Sequence, residues 1–369
     1  MGYPIRILQV VVNMNRGGAE TLIMNLYRNM DRSVVQFDFL TCKAGAFDEE
    51  IEAMGGSIHR IPYLTDVGHF GYIKALDMFF ATHPEYKIVH SHMDKMSGFV
   101  LRSAKRAGIP ARIAHSHNTS SEGGIAAKTY KWVAGEFIRP SATHFLACSH
   151  KAAQWLFAKR EANTTIVKNG IECEQFTFSS TVREQVRQEL NLTHDNYVVG
   201  HVGRFNYQKN HSFLIDVFAE LNKEQPNTVL LLVGDGSLRS DMEQKVRDLG
   251  LVEKVRFLGI RSDITRLLQA FDVFVFPSWH EGLPVTLIEA QGAGLPCIIS
   301  DVITQEVDMG IELVDYVPLS DPMVWVRRII GVFARNSSRH ISANSLSNKG
   351  YDIRDTAEWA EDFYLRLAR

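Results

Sequence analysis

Short apolar runs alternate with stretches of helical periodicity along nearly the whole chain of 369 residues. In the first half, the runs that predict buried strands are 5–12, 37–40, 57–61, 88–90, 111–115 and 144–147. Segments with helical periodicity separate them, for example 19–30, 71–82 and 97–107. Strands separated by helices of this length predict a parallel sheet with right-handed crossovers.

The same alternation begins again in the second half, with strand-like runs at 197–203, 229–233, 255–258, 273–276 and 297–300. Two doubly wound α/β domains of similar size are therefore predicted, which also suits a chain too long for one ordinary core. We expect the junction between 167 and 178, where Asn169-Gly170 marks a turn. The Ser- and Asn-rich stretch 337–350 is interpreted as partly a linker, and 353–367 predicts a final helix.

Composition is typical of a soluble globular protein, with 45% hydrophobic and 22% charged residues. No apolar run approaches the roughly 18 residues that span a bilayer, and because the first residues run directly into a strand pattern, no signal peptide is expected. The four cysteines form no C-x-x-C pair, so they are interpreted as core residues. Scattered cysteines suit a reducing cytoplasm, which is the expected location.

The net charge of -2 conceals an asymmetry between the two halves of the chain. Residues 1–170 carry +6 (20 Lys and Arg against 14 Asp and Glu), and residues 171–369 carry -8 (20 against 28). A basic first half suits anionic lipid headgroups or a lipid-diphosphate acceptor, but ordinary surface scatter explains it equally well. A group of basic residues that can face lipid, or belong to a solvated helix, comprises Lys95, Arg102, Lys105, Arg106 and Arg112.

Two glutamates eight positions apart carry the most informative chemistry. Glu281 lies in a Gly-Pro loop after a strand-like run, and Glu289 lies inside a helix-like pattern. A loop whose N–H groups open onto a helix N-terminus is an anion site. A carboxylate two turns further along can accept hydrogen bonds from ribose hydroxyls. The segment therefore predicts a nucleotide-sugar site.

The first loop of each predicted domain supplies further candidates. Gly17-Gly18 follows the first strand, where glycines either allow the backbone to approach a ligand or form only a tight turn. The equivalent loop of the second domain carries Arg204 and Lys209, which can converge on one diphosphate. The same two cations can also be unrelated charges of a solvated loop, but their position favours a function.

Two histidine pairs end adjacent strand candidates, His90 with His92 and His115 with His117. Residues i and i+2 of a strand point to the same side, so each pair of rings is expected to lie together. Metal binding needs a third ligand that the sequence does not nominate, so hydrogen bonding near a sugar is favoured over metal ligation. The chain contains no Asp-x-Asp and no P-loop motif, which favours diphosphate binding by Arg, Lys and backbone N–H groups.

Together, these motifs resemble the family 4 glycosyltransferases, in particular the bacterial enzymes of capsule and exopolysaccharide assembly. They occur in the family's order as GGAE at 17–20, HSHN at 115–118, KNGI at 168–171, Gly203-Arg204 with Lys209, GDG at 234–236, FLG at 257–259 and the two glutamates within 277–296. The resemblance implies the GT-B architecture of two Rossmann-like domains facing a cleft. Residues 1–170 would form the acceptor-side domain, 171–350 the donor-binding domain, and 351–369 a helix crossing back onto the first domain.

The resemblance also implies a role for each matching residue. Arg204 and Lys209 would hold the donor diphosphate and stabilise the leaving group, with Gly17 and Gly18 over it. Glu281 and His117 would contact the donor sugar, with His115 a weaker candidate. Glu289 would bind the ribose. Further donor contacts, largely through backbone groups, would come from Ile260, Arg261, Gly282, Leu283, Pro284 and Val285.

The implied reaction is a retaining transfer from a nucleoside-diphosphate sugar, UDP-linked, to a saccharide or lipid-linked acceptor. Neither a metal nor another cofactor is expected, nor a nucleic-acid partner. Peripheral contact with the inner face of the plasma membrane is left open. Two alternatives remain at this point: a nucleotide-sugar epimerase on the same scaffold, and a non-catalytic glycan- or nucleotide-binding module.

Overall fold

A computed structural model describes residues 4–335, 339, 341 and 349–369, without the side chains of 159 and 160. Most of the segment 337–350, for which the sequence predicts a partial linker, lies outside the described residues. The chain divides into two compact units. The first unit comprises Met1–Gly170 with Asp352–Arg369, and the second comprises Ile171–Tyr351.

The first unit is built on a parallel sheet that has seven strands in the part of the chain that the structure describes, in the order β3-β2-β1-β4-β5-β6-β7. The strands are β1 (Ile5–Val10), β2 (Val35–Thr41), β3 (Ile58–Arg60), β4 (Ile88–Ser91), β5 (Ala111–Ser116), β6 (His144–Ala147) and β7 (Thr165–Ile166). The helices are α1 (Gly18–Asn29), α2 (Asp48–Ala53), α3 (Leu64–Thr82), α4 (Ser97–Arg106), α5 (Ile125–Gly135), α6 (Ile138–Ser141) and α7 (His150–Phe157).

The second unit has a parallel sheet of six described strands, in the order β10-β9-β8-β11-β12-β13. The strands are β8 (Tyr197–Val202), β9 (Thr228–Val233), β10 (Val255–Gly259), β11 (Val273–Phe276), β12 (Cys297–Ser300) and β13 (Val314–Val317). The helices are α8 (Cys173–Phe176), α9 (Ser180–Glu189), α10 (His211–Glu224), α11 (Arg239–Asp248), α12 (Ile264–Ala270), α13 (Val285–Gly292) and α14 (Pro322–Arg335).

The last helix, α15 (Ile353–Leu367), packs in the first unit against α1 and β2. Two small residues on its buried face, Ala357 and Ala360, let the helix approach closely. One turn further along, the buried ring of Tyr364 meets Phe37 edge to face, with ring centroids 5.8 Å apart. The helix therefore completes the core of the first unit, although it lies at the opposite end of the sequence.

The predicted fold class, α/β with two Rossmann-like doubly wound domains, is confirmed. Each strand and helix range named from the sequence corresponds to an element of the structure. The sequence patterns missed β7, β13 and α14. In each sheet the strand order reverses once among the described strands, between β1 and β4 and between β8 and β11. Open α/β sheets bind ligands in the crevice at such a reversal, beyond the carboxyl ends of the strands.

Candidate functional site

The loops after β8 and β11 flank the reversal point of the second unit and are tied to each other. The backbone N–H of Trp279 donates to the backbone oxygen of Gln208 at 2.9 Å. The side-chain amide of Gln208 in turn donates to the backbone oxygen of His280 at 2.7 Å. The loop after β8 carries Arg204 and Lys209, and the loop after β11 carries Glu281. Three residues singled out from the sequence therefore belong to one hydrogen-bonded pair of loops.

An ion pair between Lys209 and Glu281 joins the same two loops. The Lys209 Nζ lies 2.7 Å from Glu281 Oε1, and the two side chains are only 16% and 8% exposed. The ammonium also lies 4.5 Å from the centroid of the Phe276 ring, a cation–π contact. A cation and a carboxylate are thus held in place at this sheet edge.

Arg204 is exposed, while its backbone is fixed by the residue that follows it. Phe205 is fully buried and stacks on His211, with ring centroids 4.0 Å apart. The loop after β9 presses against this backbone, because a Cβ at Gly234 would lie 2.2 Å from the Gly203 oxygen. Gly234 also has a φ of 133°, so this glycine is required for the close approach of the two loops. The Arg204 guanidinium is therefore carried on an anchored loop.

Helix α13 begins at Val285, directly after the buried segment Glu281, Gly282, Leu283 and Pro284. Glu289 lies about one turn from the start of this helix. The spacing from Glu281 indicated about two turns, but residues 281–284 are not helical. The Glu289 side chain is half-buried, and burial raises its pKa to about 7. Its carboxyl forms no hydrogen bond or ion pair with any residue that the structure describes.

The two residues expected near the base, Ile260 and Arg261, follow β10 directly. Ile260 is 65% exposed. The Arg261 guanidinium makes two hydrogen bonds of 2.7 Å to Asp263, which hold it against its own loop. The Gly234 N–H donates to the Gly259 oxygen at 2.8 Å, so these residues share the sheet edge with the loop after β9.

In the first unit, Gly17 and Gly18 lie at the start of α1, after the loop that follows β1. A Cβ added at Gly18 would meet nothing within 4 Å, and no positive φ requires a glycine there. Gly18 is exposed at the N-terminus of α1, and neither its packing nor its backbone conformation requires a glycine.

The four histidines of the first unit meet at the carboxyl ends of β4 and β5. The ring centroids of His90 and His92 are 4.1 Å apart and those of His115 and His117 are 4.0 Å apart, so each pair lies on one side as predicted. Across the two strands, His90 Nε2 lies 3.1 Å from His115 Nδ1 and His92 Nδ1 lies 2.8 Å from His117 Nε2. Burial lowers the pKa of all four, that of His117 to about 3, so the imidazoles are neutral at pH 7.

A metal ion is the competing use of these rings. Ligand nitrogens of His90, His92 and His115 lie within 4.8 Å of one another, so geometry supplies the third ligand that the sequence did not nominate. Both ring nitrogens of His90 and His92, however, already lie within hydrogen-bonding distance of a neighbour. A metal would have to displace those bonds, because it needs a free lone pair from each ligand.

Sequence reasoning missed three residues around this cluster: Gln9, Asp94 and Tyr364. Gln9 is 1% exposed in the middle of an apolar strand, a buried polar position that is a recognisable signal. The Asp94 carboxylate accepts the His117 backbone N–H at 3.2 Å, and burial raises the pKa of Asp94 to about 6. Tyr364 contacts His90 through its hydroxyl, at 2.7 Å from His90 Nδ1.

Two family models match the chain. Residues 17–170 match the glycosyl transferase 4-like domain, and residues 182–313 match the glycosyl transferases group 1 model. Gly17, Gly18 and His117 fall within the first range. Arg204, Lys209, Ile260, Arg261, Glu281, Gly282, Leu283, Pro284, Val285 and Glu289 fall within the second.

Two similar proteins with glycosyltransferase in their names match this chain over nearly its whole length. EpsF of Bacillus subtilis (strain 168), named as a glycosyltransferase, is 39% identical over 94% of this chain and 93% of its own. CapH of Staphylococcus aureus, named as a capsular polysaccharide biosynthesis glycosyltransferase, is 28% identical over 98% and 99%. Among solved structures, HepE of Anabaena in complex with UDP and glucose superposes with a TM-score of 0.81 at 20% identity, over 98% of this chain and 100% of that one.

The likeness to HepE supports the GT-B fold, and the relation to EpsF extends over nearly the whole of both chains. The motifs that suggested the resemblance lie in the matched ranges. The chain therefore belongs to the family 4 glycosyltransferases and is a sugar-transferring enzyme.

Proposed function

We propose that this glycosyltransferase moves a sugar from a UDP-linked donor to a saccharide or lipid-linked saccharide during surface polysaccharide synthesis, with retention and without a metal. The observation that carries the proposal is the Lys209–Glu281 ion pair, held between two loops at the reversal point of the second sheet. The capsular polysaccharide role in the name of CapH supports the pathway, and the UDP and glucose bound to HepE support the donor class.

Each chemical group of the donor is proposed to bind particular residues of the second unit. Arg204 and Lys209 bind the diphosphate, since a guanidinium offers a planar fork and an ammonium a mobile point charge. Glu289 accepts hydrogen bonds from the ribose hydroxyls, and Glu281 accepts them from the sugar. Ile260 and Arg261 contact the base, and the backbone of Gly282, Leu283, Pro284 and Val285 contacts sugar and phosphate next to the start of α13.

In the transfer step, the bond between the anomeric carbon and the diphosphate oxygen breaks while the acceptor oxygen bonds to that carbon on the same face. The acceptor proton passes to a phosphate oxygen of the departing nucleoside diphosphate. Negative charge develops on the leaving group, where Arg204 and Lys209 stabilise it from fixed positions. Gly17 and Gly18 approach the diphosphate, and His117, with His115 as a weaker candidate, contacts the donor sugar. Because these cations supply the neutralisation, no metal is needed in this account.

The function is tested by incubating the purified protein with a panel of UDP-sugars and lipid-linked saccharide acceptors, with and without EDTA. We expect a glycoside with the anomeric configuration of the donor, read from proton coupling constants by NMR, and equal rates with the chelator. Conversion of a donor sugar without acceptor would indicate an epimerase instead. Donor binding without turnover across the acceptor panel would indicate a binding module. A rate abolished by EDTA would contradict metal independence.

The same assay tests the donor assignment. Arg204→Ala and Lys209→Ala should each lower kcat by roughly 10²–10³, the usual loss for one pre-organised contact to developing charge. Lys223→Ala is the matched control, because Lys223 is an exposed α10 lysine paired only with Glu220 among the described residues. Unchanged turnover in either site variant would remove the diphosphate role from that residue.

Donor binding should depend on pH through Glu289. Its pKa is about 7, so the carboxyl is mostly neutral at pH 6 and mostly ionised at pH 8. The ionised carboxylate makes the stronger hydrogen bond, by about 1 kcal/mol, so affinity for UDP-glucose should rise about three- to fourfold between these values. Isothermal titration calorimetry at pH 6 and pH 8 measures this affinity, and Glu289→Gln is expected to make it independent of pH over this range. Parallel pH curves for wild type and variant would show that Glu289 does not bind the donor as a carboxylate.

Membrane contact is proposed to be peripheral, on the cytoplasmic face. Among the described residues, no helix is both long and apolar enough to cross a bilayer. The five basic residues that could face lipid each contact a partner in their own unit, which makes them less suited to binding lipid headgroups. The pairs are Lys95 with the Trp155 ring, Arg102 with the Phe137 ring, Lys105 with the Pro140 oxygen, Arg106 with Asp77 and Arg112 with the Ser141 oxygen.

An exposed apolar surface on α3 and α5 is better suited to lipid. Phe70 and Ile125 are each 87% exposed, and Trp132 is 56% exposed. The two helices are joined by a hydrogen bond of 2.8 Å between His69 and Tyr130. Exposed aromatic and aliphatic side chains beside lysines are typical of helices that lie in a membrane interface, and Lys128 is exposed on α5.

Co-sedimentation with vesicles containing anionic phospholipid tests this surface. The double variant Phe70→Ser with Trp132→Ser should reduce the bound fraction at least about tenfold, since each buried aromatic contributes about 1.5–3 kcal/mol. A matched double variant on the second unit, Leu249→Ser with Val252→Ser, should bind like wild type. Equal binding of both double variants would contradict the proposal, as would a wild-type protein that does not sediment with vesicles.

A further inference from the structure

The histidine cluster of the first unit belongs to one continuous hydrogen-bonded chain that ends on the terminal helix. We propose that Gln9 and Tyr364 are positioning residues that fix the tautomers of His117 and His115, so that His117 Nδ1 presents a lone pair and His115 Nε2 a proton to a substrate hydroxyl. The proposal rests on the proposed function in one respect, the contact of His117 with the sugar.

The tautomer of His117 follows from the Gln9 amide. The Gln9 side-chain oxygen can only accept, and it lies 2.8 Å from His92 Nε2, so His92 carries its proton there. A neutral imidazole has one N–H, which leaves a lone pair on His92 Nδ1. His117 Nε2, at 2.8 Å, must then donate to it, and His117 Nδ1 is left unprotonated.

The second branch runs through Tyr364. The Gln9 amide nitrogen donates to the Tyr364 oxygen at 3.3 Å, and this hydroxyl lies 2.7 Å from His90 Nδ1. Tyr364 is only 2% exposed, and a buried hydroxyl proton without an acceptor is costly, so it donates to His90. His90 Nε2 then donates to His115 Nδ1 at 3.1 Å, which places the proton of His115 on Nε2.

Each of the two series of hydrogen bonds ends at a histidine nitrogen. His117 Nδ1 and His115 Nε2 are buried and have no hydrogen-bond partner among the described residues. One is an acceptor and the other a donor, on rings whose centroids are 4.0 Å apart. A sugar hydroxyl both donates and accepts, so it can donate to His117 Nδ1 or accept from His115 Nε2. An unpaired buried polar atom costs about 1–3 kcal/mol, which a bound hydroxyl would recover.

Neutral rings are a condition of this arrangement. Burial lowers the pKa of His117 to about 3 and lowers those of the other three histidines. Each imidazole therefore carries only one ring proton near pH 7, as a defined tautomer requires. His117 consequently acts as a neutral hydrogen-bond acceptor. The Asp94 carboxylate, which accepts the His117 backbone N–H, holds that residue at the end of β5.

Nitrogen NMR of the full-length protein, labelled with ¹⁵N-histidine and free of substrate, tests the tautomers directly. In wild type, His117 should show a pyridine-like Nδ1 and a pyrrole-like Nε2, assigned by their loss in His117→Gln. Gln9→Leu removes both amide groups and should abolish the single tautomer at His117. Tyr364→Phe should disturb His90 and His115 while leaving His117 unchanged, because the Gln9–His92 contact remains.

Two further variants separate positioning from stability. Gln9→Glu keeps an acceptor for His92 and should preserve the His117 tautomer. Tyr27→Phe removes another buried hydroxyl of the first unit, hydrogen-bonded to Gln36, and should leave all four histidines unchanged. In the transferase assay, Gln9→Leu should lower kcat/KM for the donor about tenfold, the loss of one hydrogen bond, and Gln9→Glu should recover most of it.

A wild-type His117 that carries its proton on Nδ1, or a single unchanged tautomer in Gln9→Leu, would overturn the proposal. Stoichiometric zinc or another transition metal in the purified protein would overturn it too, because His90, His92 and His115 would then be metal ligands. The NMR result does not depend on activity. The stated tautomers in a protein without transferase activity would therefore count against the proposed function and leave the positioning roles of Gln9 and Tyr364 standing.

Discussion

The partly buried ion pair between Lys209 and Glu281 is the interaction on which the proposed donor site depends. Taking two charges out of water is costly, so such a pair is tolerated only with good geometry and further support. Here the distance is 2.7 Å, and the Phe276 ring lies under the ammonium. Removing either partner takes from the other the counter-charge that holds the two loops together. The two loops that carry the pair are therefore constrained together.

The charged residues of the second unit lie on loops whose positions follow from the topology of its sheet. Parallel strands bring their carboxyl ends to one edge, and the reversal between β8 and β11 opens that edge to a ligand. Close approach of the neighbouring loop at Gly234 fixes the backbone that carries Arg204. The first unit uses the same topology with different chemistry, since its reversal between β1 and β4 lies beside neutral imidazoles instead of paired charges.

Much of this arrangement could be predicted from the sequence because it is local. Period-two alternation placed His90 beside His92 and His115 beside His117. The motif order singled out Lys209 and Glu281, which form an ion pair in the structure. Which histidine meets which across the strands depends on the register of β4 with β5, where His90 pairs with Ile113. Sequence patterns do not supply register or contacts such as the one between Gln9 and Tyr364, which are 355 positions apart. For the same reason, the partners of Arg102 and Arg106 were not foreseen.

The two glutamates are proposed to bind different parts of the donor, Glu281 the sugar and Glu289 the ribose. Calorimetric affinities of UDP and UDP-glucose for wild type, Glu281→Gln and Glu289→Gln distinguish these two roles. We expect Glu289→Gln to weaken binding of both ligands by a similar factor, and Glu281→Gln to weaken binding of UDP-glucose more than that of UDP. Equal weakening of both ligands by both variants, or no weakening by either, would contradict this assignment of roles.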